Sequence, residues 1–321
     1  MSDAPVWMLY GAPGYTGTLI AQHAVTHGHR PLLAGRNERD VAALGERLDL
    51  PRRVFALDDD EAIASALTGV DLVLNAGGPF LHTAAPLAEA CIAAGVHYLD
   101  ISNELQVFRA MYELDERARA AGVSVIPGVG FGVVATNFLA AHVNVLVGGA
   151  ERLEVASRVF SARSGPGAAA TMQANLPYGG WVRNDGELTA QELFTGIVTI
   201  DFPDGACEAM PVPTGDLEAG YRATGAPNVV AYAVSPPTAE SAVGAVGARS
   251  FGWARATSSN GTTATALLET GDSYDFTPAA SVRAVEATLQ GNAIGAITPA
   301  QAFGDDFILS IDNTSRSVHL G

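Results

Sequence analysis

Along the first 130 residues, short runs of apolar positions alternate with segments whose apolar residues recur every three or four places. Val6 to Tyr10, Pro31 to Ala34, Arg53 to Ala56, Asp71 to Asn75, His97 to Asp100 and Ser124 to Pro127 read as strands. The intervening stretches read as helices. After the first strand, for instance, Leu19, Ile20, His23 and Ala24 keep helical spacing, and Gly28 stands where it would cap the end. Strand and helix in strict alternation predict an α/β fold of the Rossmann type, a doubly wound parallel sheet.

Beyond residue 130 the pattern changes. Phe131 to Val147 is largely apolar, but Thr136, Asn137, His142 and Asn144 interrupt it, which favours a buried helix over a membrane span. Leu153 to Phe160 alternates as a strand, and a helical pattern from about Gly167 to Leu176 precedes Pro177-Tyr178-Gly179-Gly180-Trp181. Arg249 to Thr270 holds Asn260-Gly261 between two alternating runs, a hairpin signal because both residues accept positive φ. Thr277-Pro278 is expected to open a further helix, with Thr as cap.

The turn after the first strand is Gly-Ala-Pro-Gly-Tyr-Thr-Gly, with Gly11, Gly14 and Gly17 three residues apart. A glycine turn between a strand and a helix lets backbone approach a pyrophosphate, whose charge the helix N-terminus favours. The spacing is GxxGxxG rather than GxGxxG, so the flanking strand and helix carry the assignment. The second strand ends at Gly35-Arg36-Asn37, where such folds place an acid on the ribose 2′-hydroxyl. A guanidinium there instead suits the extra phosphate of NADP(H), the expected cofactor. Asp58 to Asp60 precede a helical stretch from Glu61 to Leu67 and read as its cap, with an edge of the adenine site as the alternative for Asp58. The fourth strand runs into Asn75-Ala76-Gly77-Gly78-Pro79-Phe80, a second glycine turn at the carboxyl ends of the strands and therefore facing the nicotinamide side.

Composition narrows the chemistry. The 321 residues are 48% hydrophobic, enough for two packed lobes, and the net charge of −16 argues against a nucleic-acid partner. All 18 basic residues are arginine, which rules out a Tyr-xxx-Lys reductase and Schiff-base chemistry. Cys91 and Cys207 are too few for a disulfide framework, and no basic region followed by an apolar run opens the chain, so a cytoplasmic location without membrane attachment is expected. His23 and His27 stand one turn apart but lack an accompanying carboxylate or cysteine, so no metal site is expected.

The ordered series GAPGYTG, LAGRN, LNAGGPF, ACIAAGVHYLDISNE and VIPGVGFG resembles the saccharopine dehydrogenase-like oxidoreductases, a family that includes the trans-acting enoyl reductases. It covers roughly residues 5 to 140, with an echo in YDFTPAASVRAVEATLQGN and TPAQAFGDDF. The resemblance implies an NADP-binding domain over 1–130, a substrate-binding and dimerisation α+β domain built on an antiparallel sheet over 131–285, and a segment 286–321 packing back on the first domain. By position, Gly11, Gly14, Tyr15, Thr16 and Gly17 would surround the pyrophosphate, Arg36 and Asn37 the 2′-phosphate, and Asn75 to Phe80 the nicotinamide side. Relatives often continue VIPGVGFG with Asp-Ser-x-Pro, where this chain has Val133-Val-Ala-Thr136. True saccharopine dehydrogenases use a lysine in proton transfer, so saccharopine itself is not the expected substrate.

Hydride delivery from a reduced nicotinamide needs a group to protonate or stabilise the charge that remains. His82, just beyond the second glycine turn, is the first candidate, set against an ordinary helix-start histidine. Tyr98, with Asp100, Asn103 and Glu104 after the fifth strand, ranks second, and Tyr178 offers a phenol from the second domain. Three functions follow as expectations: an NADPH-dependent reductase of a conjugated C=C or C=N bond in a small substrate, a dehydrogenase of an amine or alcohol, or an NADP(H) sensor without turnover. A homodimer through the second domain is the expected assembly.

Overall fold

A computed structural model describes residues 5–161, 179–192, 195–234 and 249–321. Its amino-terminal lobe runs β1 (Trp7–Tyr10), α1 (Tyr15–Thr26), β2 (Leu32–Gly35), α2 (Glu38–Leu48), β3 (Arg52–Val54), α3 (Asp60–Ala66), β4 (Leu72–Asn75), α4 (Phe80–Ala94), β5 (His97–Asp100), α5 (Leu105–Glu113), α6 (Asp115–Ala121) and β6 (Ser124–Ile126). The six strands pair in parallel in the order β6-β5-β4-β1-β2-β3, so the strand order reverses between β1 and β4. Both faces of β1, β2 and β4 are covered, which is why these strands read as apolar runs, whereas the edge strand β3 is exposed. Trp7, Leu9, Leu72, Leu74 and Leu99 point into one core with α1, whereas Met8, Tyr10, Val73 and Tyr98 point into the other with α3, α4 and α5.

The chain then enters α7 (Phe131–Leu146), a buried helix, and passes to a second sheet. Its strands are β7 (Arg152–Arg158), β8 (Gly180–Asn184), β9 (Glu187–Gln191), β10 (Val198–Phe202), β11 (Gly205–Pro211), β12 (Asn228–Val234), β13 (Ser250–Thr257) and β14 (Thr263–Thr270), with α8 (Asp216–Thr224) before β12. Small side chains let α7 lie close against this sheet: Ala254, Ala256, Ala264 and Ala266 meet Phe138 and Leu139 in one core. A Cβ on Gly252 would stand 2.3 Å from the Ala135 carbonyl oxygen. The hairpin at Asn260-Gly261 forms as the sequence indicates, with Gly261 at φ +88°. One feature departs from an antiparallel sheet: β7 and β12 pair in parallel. The sequence offers no pattern that distinguishes that register.

The end of the chain divides between the lobes. Helix α9 (Ser273–Gln290) packs on α1, β15 (Gly295–Ala296) adds a seventh strand beside β6, α10 (Pro299–Phe303) follows, and β16 (Ser315–Leu320) pairs with β14. A boundary at 286 therefore falls inside α9, and the return to the first lobe begins at 273. That helix also starts earlier than Thr277-Pro278: Asp272 is its cap, accepting from the Tyr274 amide at 2.8 Å, and Pro278 lies within it. Thr277 caps a different helix, since its hydroxyl accepts from the Phe131 amide at the start of α7 at 3.2 Å. Asp59 caps α3 as the acidic cluster predicts, accepting from the Ala62 amide. The helical pattern from Gly167 to Leu176 and Tyr178 lie outside the described residues.

Candidate active site

The first glycine turn is held by two of its glycines and opens on the third. Gly11, at φ +75°, lies so close to the second turn that a Cβ would sit 2.4 Å from the Gly77 Cα. At Gly17 a Cβ would be 2.3 Å from the Gly11 carbonyl oxygen. These two glycines allow close backbone packing, as positions of this kind require. Gly14, exposed, is the N-cap of α1 and supplies no side-chain cap, and no acidic residue stands in the first turn. The α1 N-terminus thus keeps its free amide groups and its positive end for an anion.

Arg36 stands at the carboxyl end of β2, exposed, with no ion pair or hydrogen bond among the described residues. It acts electrostatically on the Tyr10 phenol, whose pKa burial raises; Asp58 acts on the same phenol from beyond β3. Arg36 and Asp58 therefore share one edge of the site. Asn37 is otherwise employed: its Oδ1 accepts from the Asp40 amide at 3.3 Å as the N-cap of α2. An uncapped helix end and an exposed guanidinium unpaired among the described residues have the charge that suits a pyrophosphate and a 2′-phosphate.

The second turn presents only part of itself. Gly78 and Pro79 are exposed, Ala76 and Gly77 partly so, and the Gly78–Pro79 bond is cis. Asn75 is fully buried, and Phe80 packs into the core with α4 and α5, so their side chains shape the turn from within rather than lining it. The Asn75 Oδ1 accepts from the Gly77 amide at 2.9 Å, and its Nδ2 donates to the Tyr98 hydroxyl at 3.1 Å and the Thr83 hydroxyl at 3.3 Å.

Tyr98 does not reach the crevice. It has no exposed surface, and its hydroxyl donates to Asp100 Oδ2 at 3.0 Å. Burial first, and Asp100 second, push the phenol far above its ordinary value, and its burial, with the proton committed to Asp100, keeps it from donating to substrate. The alternation along β5 explains this: Tyr98 points into the sheet face covered by α4 and α5. Asp100 is itself fully buried, and burial raises its pKa against hydrogen bonds from Ser102 and Gly128. His82 lies in the first turn of α4 with its side chain exposed, three residues past Pro79 and with no side-chain hydrogen bond among the described residues.

Three further loops meet beyond β5, and sequence spacing gave no sign of the meeting. Glu104, nearly fully buried, accepts from the Asn103 amide at 2.9 Å; burial raises its pKa, opposed by bonds from the Asn103, Glu104 and Phe80 amides. Asn103 lies against Gly132 at the start of α7, and its carbonyl accepts from Gly215 of the second lobe at 2.9 Å. Tyr274, at the start of α9, meets Tyr15 edge-on with ring centroids 5.1 Å apart, bringing the returning C-terminal helix against the phosphate turn. A cleft of about 490 Å³ opens between α1, the end of β14, the start of α9 and residues 311–313, and neither the second glycine turn nor His82 lines it.

Residues 7–126 match the family model described as the saccharopine dehydrogenase NADP binding domain. A trans-acting enoyl reductase of Mycobacterium ulcerans (strain Agy99) is 28% identical over 143 residues, which cover 42% of this chain and 34% of that protein. The trans-acting enoyl reductase of Mycobacterium leprae (strain TN) is 32% identical over 132 residues, covering 39% and 32%. The match thus spans about a third of the length of these curated relatives. Among solved structures, apo saccharopine dehydrogenase (L-Glu forming) from Saccharomyces cerevisiae superposes with a TM-score of 0.67 at 11% identity, over 98% of this chain and 100% of that one. The chain is built on the two-lobed fold of saccharopine dehydrogenase, and its residues 7–126 match the NADP-binding domain of that family.

Proposed function

We propose that the protein is an NADPH-dependent reductase that delivers hydride to a conjugated C=C bond, as in an enoyl thioester, or to a C=N bond of a small substrate. The observation that carries the reading is the unpaired Arg36 beside the uncapped start of α1, a site for a phosphorylated dinucleotide in a chain of net charge −16. When bound, NADPH supplies the hydride. Arg36 holds the 2′-phosphate, the amides of Tyr15, Thr16 and Gly17 hold the pyrophosphate, and Ala76 to Pro79 flank the nicotinamide side. His82 donates the proton that follows hydride addition, since its exposed imidazole starts α4 just after that turn. The second sheet supplies the surface for a homodimer.

The enoyl preference comes from the named activity of the mycobacterial relatives and stands as a proposal for this chain. Purified protein should consume NADPH, followed by its absorbance, with α,β-unsaturated thioesters or cyclic imines. His82→Gln should then lower kcat by about 10²-fold or more with NADPH affinity intact. Oxidation of amines or alcohols with NADP+ alone would favour the dehydrogenase reading. Tight NADPH binding without turnover of any class would make the protein a sensor.

A further inference from the structure

We propose that Tyr98 and Asp100 are positioning residues that set the nicotinamide-side turn from behind, acting through Asn75 and Thr83. This rests on the reading of Ala76 to Pro79 as the nicotinamide side.

The chain of bonds has one direction. Asp100 Oδ1 accepts from the Ser102 amide at 2.9 Å, the Ser102 hydroxyl at 2.6 Å and the Gly128 amide at 3.0 Å, leaving Oδ2 for Tyr98. The Tyr98 hydroxyl has one proton and gives it to Asp100, so it can only accept from Asn75. That fixes which end of the Asn75 carboxamide is the donor, a choice ordinarily left to network inference. Oδ1 must then face the Gly77 amide, which it does at 2.9 Å. The Asn75 Nδ2 also reaches Thr83 Oγ1, and that hydroxyl donates to the Gly77 carbonyl at 2.6 Å.

Both polar groups of Gly77 are consequently clasped by side chains, while its Cα lies against Gly11 of the phosphate turn. A buried aspartate that served the core alone would need no such route to an exposed turn. Here every step from Asp100 to Gly77 is a hydrogen bond, and the next two residues, Gly78 and Pro79, are exposed. Removing the Tyr98 hydroxyl frees the carboxamide to rotate and releases the amide of Gly77. The phosphate contacts at α1 and Arg36 are untouched, so cofactor affinity and cofactor posture should separate.

The test compares wild type, Tyr98→Phe, and Thr83→Val, which opens the clasp outside the buried chain should Tyr98→Phe fail to fold. NADPH Kd should change by less than about threefold, whereas the anisotropy of bound NADPH fluorescence should fall and the Gly77 amide should exchange with solvent at least about tenfold faster. With an accepted substrate, hydride transfer should slow roughly 10- to 100-fold at unchanged KM for NADPH. In a double-mutant cycle, Tyr98→Phe and Asn75→Ala should be strongly non-additive, because both act through one carboxamide. Unaltered anisotropy and exchange in folded variants, or additive effects, would overturn the proposal while the reductase reading stands. A wild type that binds no NADP(H) would overturn both.

Discussion

Replacing Arg36 by Ala is the most direct probe of the cofactor site. The guanidinium is exposed at the end of β2 and unpaired among the described residues, so its removal breaks no hydrogen bond or ion pair among them and costs the fold little. Its expected partner is a phosphate dianion, and charge-assisted hydrogen bonds of this kind contribute about 1.5 to 3 kcal/mol. At roughly 1.4 kcal/mol per decade, the Kd for NADPH should rise about 10- to 150-fold. NADH has no 2′-phosphate and should bind as before. Titration of both nucleotides by fluorescence, with unfolding curves as a control, measures this. The contrast between NADPH and NADH in wild type should also shrink from about 0.1 M to 1 M salt, since the Debye length falls from about 10 to 3 Å. Asp58→Asn adds a second axis. If Asp58 edges the adenine site it should weaken both nucleotides alike, whereas a purely electrostatic neighbour of Arg36 would strengthen NADPH alone. Equal losses for NADPH and NADH in Arg36→Ala would refute the assignment of Arg36.

Three other expectations follow from the same geometry. Gly11→Ala combines a φ of +75° with a backbone collision at 2.4 Å, so a loss of about 3 kcal/mol or more and a fall in Tm of roughly 6 °C or more are expected in a thermal scan; a neutral effect would disprove the close approach of the two turns. Asn37→Ala should cost about 1 kcal/mol in urea unfolding through the lost α2 cap, and NADPH affinity should hold unless Asn37 also touches the phosphate. Asp216 is buried in the α7–α8 contact; burial raises its pKa from 3.8 while hydrogen bonds from Thr136 and Thr214 oppose the rise. Because the folded value is the higher one, the native state favours the protonated form, and that stability is lost as pH rises through the folded value. Wild type should therefore lose stability relative to Asp216→Asn as pH climbs from about 4 towards 8, and a flat difference would contradict the raised pKa.

The first lobe was legible because β1, β2 and β4 are buried on both faces and the turns after β1 and β4 carry glycines where the two turns approach each other closely. Unbroken apolar runs and the triplet at Gly11, Gly14 and Gly17 are direct traces of those constraints. Arg36 stands at the strand end where the sequence places it, and among the described residues no ion pair or hydrogen bond consumes its charge. Asn75 and Tyr98 were assigned to the site from their strand-end positions, yet position does not say which way a side chain points. A one-residue difference along β5 decides between core and crevice, and burial on both faces erases the alternation that would have told them apart. Thr277 illustrates the same limit: Thr-Pro is a valid helix start, but its hydroxyl was recruited by α7, 146 residues away in the chain. The parallel pairing of β7 with β12 and the return of β15 to the first sheet are long-range choices, and no local pattern encodes them.

The return of the chain to its first lobe has a bearing on heredity. Residues 7–126 are recognisable as a unit, but the face of α1 that carries Ile20, Ala21 and Ala24 is sealed by Phe276, Ala280 and Val285, which follow β7 to β14 of the second sheet in the chain. The unit is therefore not a cassette that recombination could lift out by a single cut. Any ancestor that exchanged the second lobe had to do so by insertion between β6 and α9, keeping the helix that packs on α1. Variation among relatives is then expected to concentrate inside that insertion, while the tail after residue 273 is inherited with the front.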